Sequence, residues 1–318
     1  MKWKKLGKIF DPLAHELFDA YIGYAQSPQV LIFNDFIRVY FSTRKQSENG
    51  KFISHIQYVD MNKQFTKVLN TSRHEVIPVG NLGCYDEHGI FPINILDYDN
   101  KIYAYLSGWS RRISVSVETG IGLAMSYDSG KTFQRVGNGP VLSSSLSEPY
   151  LVVDGFVKNY DELFHMWYIY GTEWTQKNIN DEPERTYKIG HATSNDGIHW
   201  KKDLKQIIPD NIDYECQALP TVIKIKDRYH MYFAYRSTFD FRENSNNAYK
   251  IGYAYSDDLL NWIRDDDNAG ISLSEKGWDS QMMSYPHLFE CDEEIYMLYN
   301  GNEFGKYGFG IAKLEHND

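Results

Sequence analysis

The sequence predicts an all-β protein, a five-bladed β-propeller with four antiparallel strands per blade, on three observations. Five apolar runs each follow a proline: SPQVLIF from Ser27, FPINIL from Phe91, EPYLVV from Glu148, LPTVIKI from Leu219 and YPHLF from Tyr285. The prolines, Pro28, Pro92, Pro149, Pro220 and Pro286, are 64, 57, 71 and 66 residues apart, a period suited to one blade. Each run is followed by a turn and an aromatic-rich strand, with almost no 3.6-residue periodicity, which sets a helical solenoid aside. Five copies fill residues 1–318, so a single propeller domain is expected.

The elements follow in order within each copy. The second strands are RVYFSTR from Arg38, KIYAYLSGW from Lys101, LFHMWYIYGTEW from Leu163, RYHMYFAYRS from Arg228 and EIYMLYNGN from Glu294. Alternating Tyr, Phe, Trp and Val suit a half-buried pleated strand. Third strands begin at Gly120, Lys188, Lys250 and Gly308, while HIQYVDMNKQF from His55 is a degenerate first copy. Three of them end in a Ser-x-Asp turn followed by Phe133, Trp200 or Trp262, where Asp tightens the turn and the ring packs between sheets. The fifth copy leaves little chain for an outer strand. The alternating segment WKKLGKIF from Trp3 is expected to supply it and close the ring.

Composition narrows the function. A hydrophobic content of 42% with 25 Tyr is enough for a sizeable core, and a net charge of −10 argues against a nucleic-acid groove or an anionic membrane surface. Cys84, Cys216 and Cys291 form no CxxC pair and read as free thiols of a reducing compartment. There is no apolar run long enough to span a bilayer and no leader pattern, so a cytoplasmic location is expected.

Strand parity places the mouth. If the first strand runs away from a face, that face carries the loops between strands two and three, which here are long and variable. Acids enter the first strands from several copies: Asp86 or Glu87, Glu148, and Glu215, with Asp279 as a fourth, rim-type candidate. Converging carboxylates suit general acid and base chemistry on a glycosidic bond, one protonated and one ionised. Candidate substrate contacts are Arg44 and Arg236 for an anionic group, His88 and His287 for a hydroxyl or a central ion, and Trp109, Tyr150 and Trp174 as stacking platforms. Each also has a plain alternative: a solvated loop acid, a hydrogen-bonded histidine, a loop ion pair or an aromatic cap.

The five-fold plan, the acid before an inner-strand proline and the S-x-D-x-x-x-W turns resemble the five-bladed propeller glycosidases. These are the arabinanase and β-xylosidase type (family 43), the invertase and levanase type (family 32) and the mannoside phosphorylase type (family 130). The resemblance implies three inner-end acids, and Glu148 with Pro149 matches the third-blade general acid. Ser27 stands where the first-blade base would be, and Glu215-Cys216 is similar to the invertase Glu-Cys pair, though one repeat later. The phosphorylase type needs one protein acid and implies a bound phosphate near Arg44, Arg236 and His287; the arabinanase type implies a calcium near His287. No cofactor is otherwise required. The expected function is hydrolysis or phosphorolysis of a small saccharide, with a non-catalytic carbohydrate-binding or scaffold propeller as the alternative.

Overall fold

Period-2 alternation does build five antiparallel sheets, arranged as propeller blades. The computed structural model describes residues 1–18, 22–47 and 50–315. Blade one comprises Gln26–Ile32, Ile37–Gln46, Phe52–Met61 and Val68–Thr71. Blade two comprises Ile90–Tyr98, Lys101–Arg111 and Val117–Ser126, whose outer edge pairs with both Gln134–Arg135 and Leu142–Ser143. Blade three runs Val152–Tyr160, Leu163–Thr175, Glu184–Ser194 and Lys201–Lys202; blade four runs Glu215–Ile225, Arg228–Ser237, Lys250–Ser256 and Ile263–Arg264. Ser284–Cys291, Glu294–Asn300 and Phe309–Leu314 form blade five, and the N-terminal strand Trp3–Phe10 completes it by pairing with Phe309–Leu314.

Each inner strand touches the next, and the fifth touches the first, so the ring closes around an axis. Side chains pin neighbouring inner strands there. Asn94 donates to Gln29 at 3.1 Å and accepts from the Val157 N–H at 2.9 Å. Thr221 accepts from the Leu288 N–H at 3.0 Å, and His287 Nε2 accepts from the Val30 N–H at 3.2 Å. The Ser-x-Asp turns lock blade to blade. Tyr40 donates to Gly130 O while edging Phe133, and Tyr105 donates to Gly197 O while edging Trp200. Trp262 meets Trp167 of the preceding blade at 88°.

Every inner strand carries a bulge near its start, and the bulges mark equivalent positions. The residue pairs there are Ser27-Pro28, Phe91-Pro92, Asp154-Gly155, Leu219-Pro220 and Tyr285-Pro286. A bulged residue drops out of the ladder, so proline, which lacks an N–H, loses nothing there. Blade three therefore departs from expectation: Pro149 lies before the strand, and Gly155 holds the proline's place. Glycine fits closely here, since a Cβ would sit 3.0 Å from Ile121 Cδ1 and 3.3 Å from Met166 Sδ, and those side chains would have to give way. Four of the first members have left-handed backbones (φ 53° at Ser27, 59° at Asp154, 47° at Leu219, 57° at Tyr285). This conformation turns the chain at the mouth of the axis.

Closure by the N-terminal strand buries Trp3 and Phe10, with Trp3 Nε1 donating to the Tyr232 hydroxyl at 2.9 Å. Each large side chain contributes about 1.5–3 kcal/mol, and its removal also bares a strand edge. Deleting residues 1–10 is expected to lower the melting temperature by roughly 5 °C or more and to promote aggregation, read by differential scanning fluorimetry and light scattering. A truncated chain that melts with its parent would show that this strand is dispensable. No helix among the described residues is long and apolar enough to cross a membrane.

Candidate active site

The long loops between second and third strands rise around one mouth of the axis, the face that strand parity indicates. They enclose a cavity of about 340 Å³, lined by Arg44, Phe52 and Ser54 of blade one, Trp109 of blade two, Arg185 and Tyr187 of blade three, and Arg236, Phe241 and Tyr249 of blade four. The bulge residues Phe91, Asp154 and Tyr285 also face it. This volume lies within the usual range for ligand pockets, about 300–1,000 Å³.

Among the described residues Asp154 is the one carboxylate in that lining. Its backbone N–H donates to Ser107 Oγ at 3.0 Å, tying it to blade two, and its carboxylate accepts from the Leu219 N–H of blade four. Burial pushes its pKa up to about 7, against the opposing pull of the Arg185 guanidinium and the Leu219 N–H. A carboxyl group poised near neutrality can give or take a proton at physiological pH. Tyr187 and Tyr249 share a hydrogen bond of 2.7 Å, and burial raises the Tyr187 phenol well above its ordinary pKa, so it remains a donor.

Four arginines share the lining with this carboxyl group, and of these Arg185 acts on it directly. Arg236 is buried, lies 3.5 Å from the Phe241 ring centroid and donates to Tyr187 at 3.0 Å and to the Ser237 carbonyl at 2.7 Å. Arg185 sits between the indoles of Trp109 and Trp174, 5.2 and 5.8 Å from their centroids. Arg44 donates to Gln26 Oε1 at 3.1 Å and lies over Tyr24.

The acids expected to converge on the funnel do not line it. Each instead lies within its own blade, paired to a base on the outermost strand. Asp86 accepts from Arg135 Nε at 3.0 Å, and Glu148 meets Lys202 at 2.5 Å and the Tyr168 hydroxyl at 2.7 Å. Glu215 meets Arg264 at 2.6 Å, and Asp279 meets Lys5 of the closing strand at 2.7 Å. The preceding aromatic wedges against the sheet, as Tyr85 over Gly108 and Gly122 or Trp278 over Gly301 and Gly310, where a Cβ would collide. Repetition in four blades identifies a fastening of the fold. Glu87 accepts from the Gly83 N–H at 2.7 Å, and His88 Nδ1 accepts from the Arg111 N–H at 3.3 Å; neither lines the cavity.

Of the expected substrate contacts, Arg44, Trp109 and Arg236 line the cavity, and Trp174 joins them through Arg185. Tyr150 lies outside it, against Gly171. His287 pins the axis through Nε2, between the Phe156 and Phe289 rings, and burial with the nearby Lys158 ammonium pushes its pKa down to about 3. Among the described residues no three His, Cys, Asp or Glu side chains gather as a metal group. Asp154 was legible after all. With Gly155 in place of Pro149, the spacings become 155−92=63 and 220−155=65, in line with 64 and 66, and an acid then directly precedes the repeat position. Arg185 has no such local signal.

No family model matches the chain. Solved structures sharing the fold include BT0996 in an RGII complex (TM-score 0.72, 16% identity, covering 98% of this protein and 91% of that one). A thermostable family-43 glycoside hydrolase matches with TM-score 0.67 and 15% identity over 96% and 93% of the two chains. The Bombyx mori GH32 β-fructofuranosidase BmSUC1 matches with TM-score 0.61 and 12% identity over 92% and 61%. At these identities the likeness establishes the five-bladed fold. Two Mycobacterium tuberculosis sequences, the uncharacterized proteins MT1551 and Rv1502, are each 30% identical over 328 residues, covering 99% of this chain and 100% of theirs. With that identity along essentially the full length of both, the chain belongs to the family of the uncharacterized protein Rv1502.

Proposed function

We propose that the chain is a carbohydrate-active enzyme that cleaves a glycosidic bond of a small saccharide held in the funnel, with Asp154 as its proton-transferring group. The observation that carries this is the buried Asp154 carboxyl at the cavity floor, with its pKa near 7. The protonated acid gives its proton to the leaving glycosidic oxygen as the bond to the anomeric carbon breaks. The resulting carboxylate faces Arg185, which favours the charged form. Aromatic walls at Trp109, Tyr249 and Tyr285 suit the apolar face of a sugar ring.

Two-carboxylate hydrolysis needs a second acid, and among the described residues the lining holds one carboxylate. That favours phosphorolysis, in which an oxygen of inorganic phosphate attacks the anomeric carbon and the sugar leaves as its 1-phosphate. The same observation favours, as a second reading, a propeller that binds a saccharide without cleaving it. Incubation with a panel of oligosaccharides, with and without phosphate, separates the readings by chromatography of the products. Phosphate-dependent release of a sugar 1-phosphate is the expected result. Binding by calorimetry with no product from any bound saccharide would overturn the enzymatic reading.

A further inference from the structure

The protein carries a net charge of −10, yet four arginines and one carboxylate line its cavity. Arg242 is engaged by Glu184 at 2.6 Å. The described partners of the other three are neutral: carbonyls, hydroxyls, an amide oxygen and aromatic faces. Arg236 is 3% exposed and its Nε has no hydrogen-bond partner. Guanidinium groups withdrawn from water are costly unless an anion meets them, and their planar fork matches a carboxylate or phosphoryl group in two-point contact. Among the described residues Asp154 supplies at most one charge to three cations, which leaves a positive excess even when it is ionised.

The placement of Arg185 adds a geometric constraint. Its guanidinium lies between two indole faces, 5.2 Å from Trp109 and 5.8 Å from Trp174. The guanidinium already covers a face of each indole, so its edge suits an oxyanion, while the Tyr249 and Tyr285 rings of the same lining suit the C–H side of a sugar ring. A ring and a charge recognised side by side imply one ligand carrying both. We propose that the saccharide bound in this funnel is acidic, carrying a carboxylate or phosphoryl group that Arg236 and Arg185 hold, with Arg44 completing the positive wall. The inference rests on the reading of the cavity as the saccharide site, and it goes beyond that reading by naming the substrate class.

The test is calorimetry on the full-length chain at fixed ionic strength with hexuronates, hexose phosphates, the matching neutral hexoses and inorganic phosphate. At least one acidic sugar is expected to bind at least tenfold more tightly than its neutral counterpart and than inorganic phosphate. Arg185→Gln, at a partly exposed position, is expected to weaken acidic-sugar binding about tenfold more than neutral-sugar binding. Arg236→Lys, which keeps the charge but loses the fork, is expected to weaken it as well. Equal affinity for neutral and acidic sugars, or no binding of any acidic sugar, overturns the proposal. Inorganic phosphate that binds as tightly as the acidic sugars and displaces them also overturns it, because the arginines would then hold the phosphate co-substrate and not the sugar's own anionic group. Asp154→Asn separates the two readings: it should abolish cleavage yet retain acidic-sugar binding. Selective binding of an acidic sugar without cleavage in the parent would sustain this inference while removing the enzymatic one.

Discussion

Asp154→Asn is expected to reduce turnover on the cleaved saccharide by about 10²–10⁴-fold, the usual worth of a positioned general acid, and to stabilise the protein near neutral pH. The two effects have one cause. Asp154 is held among Leu151, Val153 and the bulge of blade four, where a charge is poorly solvated, and its pKa rises to about 7. In the unfolded chain it titrates near 3.9. Between those values the unfolded chain has released a proton that the folded chain still holds. Stability therefore falls as pH rises from about 4 to about 7, and is level above. Asparagine has no such slope, and its carbonyl can still accept from the Leu219 N–H. Parent and variant should melt together near pH 4 and diverge toward pH 8, where the variant gains up to about 4 kcal/mol. Melting curves across that range, beside a product assay, check both halves. Full turnover by the variant would remove Asp154 from the chemistry.

The blades were legible because their signals are local. Strand alternation, the turn acids Asp128, Asp196 and Asp258, and the N-terminal alternation from Trp3 each act within a few residues of themselves, and all form as the pattern implies. The funnel was less so, because its groups come together from all five blades. Arg44, Trp109 and Arg236 could be found because they end second strands at the mouth. Arg185 begins a third strand and carries no mark of its own.

The misplaced acids have a different cause. A carboxylate before an inner strand looks alike in sequence whether it faces the axis or the sheet. What separates the cases is a base on the outermost strand. Arg135, Lys202 and Arg264 follow the serines of the Ser-x-Asp turns by 135−126=9, 202−194=8 and 264−256=8 residues. Acid and base thus recur as a pair in blades two, three and four, with Asp279 and Lys5 doing the same in blade five, and recurrence in four blades is the mark of a fold-wide fastening. The proposed proton donor, Asp154, instead stands alone among Ser27, Phe91, Leu219 and Tyr285 at the equivalent positions.

Glu148→Gln puts that distinction to a direct test, because the two roles predict opposite outcomes. A general acid at this position would lose nearly all turnover and keep its fold. The geometry predicts the reverse. Glu148 is 2% exposed, and its two oxygens accept from Lys202 at 2.5 Å and Tyr168 at 2.7 Å. Glutamine leaves the Lys202 ammonium enclosed, with the Ser143 carbonyl and the Tyr168 ring as its remaining partners. An uncompensated buried charge costs about 3–5 kcal/mol. For a chain of this length the melting temperature should fall by roughly 5 °C. The folded fraction should turn over within about twofold of the parent, since Glu148 does not line the cavity. Adding Lys202→Met removes the stranded charge, so the double variant should regain most of the lost stability, and a double-mutant cycle should report strong coupling. A Glu148→Gln protein that melts with its parent yet has lost its activity would return Glu148 to the chemistry.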